Sequence, residues 1–202
     1  MNVYDFDKTI YDGDSTVDFY FFCLRHYPGV YRYLPTLLWY GAGYVLGLVR
    51  KTNFKEHFYR FLRGIPDIDV ALEQFWDVHM KKIIPYYLTV QKADDLVISA
   101  SPEFLVIPGC RRLGISDVMA SRVNQKTGLY TGENCHGTEK VRRYREKYGE
   151  EPIQKFYSDS LSDTPLAELA EESYLVSGHE LILWQEYKPS FLIRLKSKFA
   201  KS

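Results

Sequence analysis

Hydrophobic positions fall into two regimes along the chain. From Asp94 onward, short apolar runs bounded by turn residues alternate with helix-like segments. LVIS (96–99), DVMASRV (117–123), IQKFYSD (153–159) and SYLVS (173–177) read as strands. PEFLVIPGCRRLG (102–114), GTEKVRRYREKYG (137–149) and TPLAELAEE (164–172) read as helices, the last with Pro165 in its first turn. NQKTGLYTG (124–132) reads as a hairpin turned at Lys126-Thr127-Gly128. Strand–helix alternation predicts a parallel α/β sheet, and NVYDF (2–6) supplies its first strand.

The stretch between the first strand and the second is patterned differently. Residues 19–61 hold 14 of the 32 aromatic residues, and their punctuation is that of helices. Four are expected: about Ser15–Tyr27, with Asp14 or Ser15 as N-cap and Pro28-Gly29 as stop; Val30–Arg50; Asn53–Arg63; and Asp67–Ile84. Short connections between them predict a small antiparallel bundle inserted into the α/β unit. The division expected is a Rossmann-like core over 1–12 and 88–202 and a helical insertion over 13–87.

Composition narrows the classes. Lys plus Arg and Asp plus Glu are equal at 26, so no global positive field draws in nucleic acid. Cys23, Cys110 and Cys135 are odd in number and form no CxxC pair, which suits a reducing, cytoplasmic setting. MNVYDF runs directly into two aspartates with no basic and apolar leader, so secretion is not expected. The five histidines show no metal-ligand spacing, which argues against zinc.

Ligands of open α/β sheets bind beyond the carboxyl ends of the strands. Asp5-Phe6-Asp7, Ser99-Ala100-Ser101 and the run from Ser158 to Asp163 occupy such ends. Asp5 and Asp7 fall where a strand gives way to a loop, so both can converge on one ligand. Four carboxylates at one sheet edge repel one another unless a cation intervenes. Mg²⁺ accepts one or two carboxylates together with waters and phosphate oxygens, and Lys140 offers a second positive charge.

DFDKT (5–9), VISAS (97–101), Lys140 within CHGTEK (135–140) and YSDSLSD (157–163) resemble, in order, the four motifs of the haloacid dehalogenase-like superfamily. The nearest resemblance is to the phosphoserine-phosphatase-like branch, which carries an all-helical cap between its first two motifs. The resemblance implies a Mg²⁺-dependent phosphatase acting on a small-molecule phosphomonoester. Asp5 would be the nucleophile that becomes an aspartyl-phosphate, and Asp7 the general acid and then base. Ser99, the backbone around Ala100 and Lys140 would bind the phosphoryl group. Asp5, the carbonyl of Asp7 and Asp159 would hold the metal, with Asp163 and Thr9 in support. Asp14 stands where phosphoserine phosphatases place an acidic residue facing substrate. Ser158 replaces a glycine common in relatives, which is expected to crowd that turn.

Plainer roles exist for several of these residues. Asp5 and Asp7 suit a turn, Ser101 a helix cap before Pro102, Asp14 and Asp163 helix N-caps, and Lys140 a solvated basic face shared with Arg142, Arg143, Arg145 and Lys147. A catalytically silent binding protein would have lost one of the charged motif positions, and none is lost. YLPTLLWYGAGYVLGLV (33–49) carries no charge and reads first as a buried cap helix. Together with the basic-apolar FLIRLKSKFAKS (191–202) it also suggests transient membrane-surface contact and a lipid-phosphate substrate.

Overall fold

The computed structural model describes residues 1–49, 57–178 and 180–187. The elements in order are β1 (Asn2–Tyr4), α1 (Ser15–His26), α2 (Leu34–Val45), α3 (Ile68–His79), α4 (Pro85–Val90), β2 (Leu96–Pro102), α5 (Glu103–Arg112), β3 (Asp117–Ser121), α6 (Thr138–Tyr148), β4 (Ile153–Ser158), α7 (Thr164–Ala167), β5 (Ala170–Ser177) and β6 (Glu180–Leu183). Short 3₁₀ turns at Pro28–Tyr33, Tyr59–Gly64 and Met80–Lys82 join the helices between β1 and β2.

The six strands form one sheet in the order β3-β2-β1-β4-β5-β6, parallel throughout except for the antiparallel pairing of β6 with β5. All three residues of β1 are buried, as a strand covered on both faces requires. Tyr4 pairs with Val97 on one side and Tyr157 on the other, so the ends of β1, β2 and β4 lie side by side. This is the Rossmann-like arrangement, and the helical segment enters it after β1.

Several elements depart from the sequence pattern for identifiable reasons. The expected helix Val30–Arg50 divides into a 3₁₀ turn and α2, because Pro35 is tolerated only in a first turn. Gly47 then closes α2 in the left-handed conformation, at φ 72°. Residues 50–56 lie outside the described structure, so the expected helix Asn53–Arg63 is seen only from His57, where helix passes at once into 3₁₀ geometry. The helix expected over Asp67–Ile84 ends at His79, and Ile84 instead donates its N–H to the Ile10 carbonyl at 2.8 Å. The last expected helix, 164–172, keeps four residues, because Ala170 and Glu172 pair with Ile153 and Lys155 of β4. Ladder hydrogen bonds override helix propensity there. The expected hairpin at 124–132 forms as a short, irregular one: Val123 and Tyr130 make an antiparallel bridge, and the Asn124 and Thr131 N–H groups donate to the Leu129 and Arg122 carbonyls at 2.8 and 2.9 Å. β6 has no counterpart in the sequence pattern.

The insertion shares its hydrophobic core with the sheet. Phe19, Phe61, Phe75 and Trp76 belong to the same buried cluster as Phe6, Val97 and Leu105. Trp76 is the joint: its ring meets Phe6 and Tyr11 edge-on at 5.9 and 5.7 Å, and its Nε1 donates to the Leu105 carbonyl at 2.9 Å. Arg112 of α5 adds ion pairs to Asp77 and Glu73 of α3 at 2.6 and 2.5 Å.

Gly109 permits this approach, since a Cβ there would stand 2.6 Å from the Trp76 ring. Gly109→Ala therefore gains about 1 kcal/mol of helix propensity but forces apart a fully buried, hydrogen-bonded ring, and overpacking costs about 1–3 kcal/mol. A net loss in urea-unfolding stability is expected. A stabilised variant would show that α3 is free to move off α5.

Candidate active site

The chain beyond β1 turns tightly, with the Phe6 carbonyl accepting from the N–H groups of Thr9, Ile10 and Tyr11. Lys8 sits in the left-handed region at φ 56°, uncommon for a residue with a side chain. The turn brings Asp5 and Asp7 to the end of the sheet, where a cavity of about 410 Å³ opens. Asp5, Asp7, Ser99, Ala100, Asp159 and Asp14 all line it. Lys8, Thr16, Val17, Phe58, Tyr59, Ser101, His136 and Ser160 complete the lining.

Beneath the cavity lies a buried ion triad. Lys140 of α6, 1 % exposed, reaches Asp5 Oδ1 at 3.0 Å and Asp163 Oδ2 at 2.6 Å. It is not part of a solvated basic face. Burial favours the neutral amine, but Asp5 and Asp163 outweigh it and raise the Lys140 pKa above its usual value. Asp163 Oδ2 also accepts from Ser158 Oγ at 2.8 Å. Ser158 thus adds a donor where a crowded turn was expected.

Asp7 is held on both oxygens. Oδ1 accepts from the Ser15 N–H at the start of α1 (2.7 Å) and Oδ2 from Ser101 Oγ (2.5 Å). Ser101 spends its proton on Asp7, so the 3.1 Å contact with Thr16 Oγ1 has Thr16 as donor. The helix-cap role expected of Ser101 is absent, since β2 runs through Pro102 and α5 begins without a side-chain cap. Ser101, which the sequence groups with Ser99 at the end of β2, meets Asp7 instead of capping a helix, and Thr16 lines the cavity without a sequence signal that pointed to it.

The other expected residues divide. Ser99 is buried and its Oγ accepts from the Ser101 N–H at 3.1 Å. Asp14 does two things: it caps α1 through Val17 N–H at 3.0 Å, and it faces the cavity. Thr9 is buried, but it lines a small aromatic pocket with Tyr4, Tyr87 and Tyr157 rather than the main cavity.

Negative charge is in excess. Burial pushes Asp5 up to about 7, with Lys140 opposing and Asp163 and Asp7 adding to the rise. Burial and the Asp14 charge push Asp7 up to about 6, against the hydrogen bonds from Ser101 and Ser15. Burial also raises Asp159, countered by Lys8, whose Nζ stands 3.8 Å from it. Such a donor set suits a cation. Among the described residues no three His, Cys, Asp or Glu side chains form a metal cage. The buried Oδ1 of Asp163, which has no partner among the described residues, leaves one acceptor open beside the triad.

Residues 3–168 match the profile of the haloacid dehalogenase-like hydrolases. The chain belongs to that family. Among relatives of this hydrolase, histidinol-phosphatase of Neisseria meningitidis is 30 % identical over 162 residues, covering 60 % of this chain and 72 % of that protein. A probable phosphatase of Mycobacterium tuberculosis is 37 % identical over 91 residues, or 42 % of this chain. The match spans only 32 % of that relative's length. In fold, the hydrolase resembles a Bordetella pertussis protein of unknown function, with a TM-score of 0.69 at 19 % identity over 100 % of this chain and 95 % of that one.

Two outcomes follow from the charge arrangement. Lys140→Met leaves Asp5 and Asp163 buried without their cation, and breaking such a pair costs about 3–5 kcal/mol. Adding Asp163→Asn should recover part of that loss in urea unfolding, and strict additivity of the two substitutions would count against the triad.

Glu139, next to Lys140, is held at about 2 by hydrogen bonds from Arg142, with Arg143 adding to these against burial. Arg143 also donates to the Ala120 and Glu133 carbonyls at 2.6 and 2.7 Å, pinning α6 beside β3. A depressed carboxyl stabilises the fold above its unfolded pKa, here 4.5, and that contribution is lost as pH falls through about 2. Glu139→Gln should lower Tm at pH 7 by about 2–4 °C. The gap to wild type should narrow between pH 4.5 and 2, and a gap that does not change with pH would refute the linkage.

Proposed function

We propose that this hydrolase is a Mg²⁺-dependent phosphatase that cleaves a small-molecule phosphomonoester through a phosphorylated Asp5. The observation that carries this is the pairing of Asp5, fixed by buried Lys140, with Asp7 at the mouth of the same cavity. Phosphatase-named relatives support it. Asp5, the Asp7 carbonyl and Asp159 would hold the Mg²⁺. When bound, that ion supplies charge neutralisation for Asp5 and for phosphoryl oxygens.

In the first half-reaction a carboxylate oxygen of Asp5 forms a bond to phosphorus while the bond from phosphorus to the ester oxygen breaks. Asp7 delivers its proton to that oxygen, which leaves as an alcohol. In the second half Asp7, now a carboxylate, takes a proton from water as the water oxygen attacks phosphorus. The Asp5–phosphorus bond breaks, releasing inorganic phosphate and restoring both side chains. Ser99 and the backbone at Ala100 orient the phosphoryl oxygens, and Lys140 offsets their charge. Residues 13–87 act as the cap, since Asp14, Thr16, Val17, Phe58 and Tyr59 wall the leaving-group side.

A lipid-like phosphate is a second reading, favoured by the apolar and aromatic character of Val17, Phe58 and Tyr59 on that wall. A panel of phosphorylated metabolites, including histidinol phosphate and lipid phosphates, separates the two by phosphate release.

Asp5→Asn should keep the circular dichroism of the wild type and lose at least about a thousandfold in turnover, roughly 4 kcal/mol in barrier. Asp7→Asn should be severely impaired on substrates with poor leaving groups. EDTA should stop turnover and added Mg²⁺ restore it. Wild-type rates in Asp5→Asn, or full activity in metal-free buffer, would overturn the mechanism.

A further inference from the structure

The uncharged run at 33–49 is not a buried helix. No residue of α2 is buried, and Leu34 and Leu37 only half-cover one side against the body of the protein. Leu38, Trp39, Val45 and Leu46, with Ala42 between them, recur at helical spacing on the other side and are exposed. Trp39 is 79 % and Val45 84 % accessible, and Leu48 just beyond the helix is 80 %. A contiguous outward apolar stripe of this kind marks an interaction surface.

Charge identifies the occupant. Residues 19–55 contain five Lys or Arg (Arg25, Arg32, Arg50, Lys51 and Lys55) and no Asp or Glu, on a chain whose totals are 26 and 26. The apolar stripe therefore belongs to a locally cationic segment on an otherwise acidic chain. Two copies meeting through it would bring these cations together, which disfavours self-association. An anionic surface is complementary. Tyr33, Trp39, Tyr40 and Tyr44 supply rings with polar tips, suited to the level of lipid headgroups. At 12 residues α2 is about 18 Å long, against about 30 Å of hydrocarbon. Among the described residues no helix is long and apolar enough to cross a membrane. A short apolar helix with basic flanks lies in the interface plane instead.

We infer that α2 is a docking helix that seats the protein on an anionic lipid surface through Leu38, Trp39, Val45, Leu46 and Leu48. The surface is joined to the cavity wall, since Tyr40 stacks on His57 at 3.4 Å between ring centroids and Phe58 follows in the chain.

The test is co-sedimentation of the full chain with phosphatidylcholine vesicles that contain or lack phosphatidylglycerol. Wild type, Trp39→Glu/Val45→Glu and Arg32→Gln are compared. Binding to the anionic vesicles at low salt is expected, weakened at least about tenfold by added salt or by omission of phosphatidylglycerol. The double variant should lose binding at least about tenfold while keeping wild-type circular dichroism and hydrolysis of a soluble phosphate ester, and Arg32→Gln should show a smaller loss. Absence of sedimentation at low salt would overturn the inference, as would equal binding by the double variant. A dimer on size exclusion that Trp39→Glu/Val45→Glu dissolves would assign the stripe to self-association instead.

Discussion

One buried cation orders this active site. Lys140 places its ammonium between Asp5 and Asp163, at 3.0 and 2.6 Å, with almost no access to water. An isolated ammonium in that environment would neutralise itself, so Lys140 keeps its charge because Asp5 and Asp163 face it. The three residues come from the end of β1, the first turn of α6 and the turn after β4, segments far apart in sequence. The triad therefore works as a registration device. If α6 slid along the sheet, two carboxylates would lose their counter-charge, and Arg143 on the same helix would lose its grip on the carbonyls beside β3. The position of Asp5 is thus fixed by the charge pairing that Lys140 supplies.

The helical insertion is bound into this arrangement rather than hung from it. Its first helix begins by donating the Ser15 N–H to Asp7, and its third packs Trp76 between Phe6 and the α5 backbone. Residues on either side of Asp5 and Asp7 consequently contact the insertion. Any displacement of α1 would be felt at Asp7 through a 2.7 Å hydrogen bond. Phe58 and Tyr59 on the cavity wall and Phe6 between the two carboxylates belong to one packed cluster, which transmits small shifts because interiors are dense.

Much of this was legible in the sequence because it depends on strand ends. Asp5, Asp7, Ser99 and Asp159 follow apolar runs, and a parallel sheet has only one edge at which such residues gather. What was not legible depends on contacts between distant segments. Ser101 looks like a helix cap until β2 extends through Pro102 and turns its hydroxyl to Asp7. Ser158 looks like a crowded glycine position until its hydroxyl meets Asp163. The helix expected over 164–172 is cut to Thr164–Ala167 by pairing of the residues beyond it with β4, and α2 has the uncharged pattern usual for a buried helix yet lies exposed. Local pattern sets element type well only where no neighbouring strand or surface competes for the same residues.

The surroundings of Asp7 show how the opposing demands on one carboxyl are met. On the proposed mechanism Asp7 gives up a proton in one half-reaction and takes one in the next, a task suited to a pKa near the working pH. Burial and the charge of Asp14 favour the protonated form, whereas the donors Ser101 and Ser15 favour the anion. The balance lies at about 6, above an ordinary aspartate and near neutrality. Thr16 fixes the hydroxyl of Ser101 by donating to it, so the donor side of this balance runs through α1. On the proposed mechanism, the insertion thereby sets the proton affinity of the acid as well as the shape of the cavity above it.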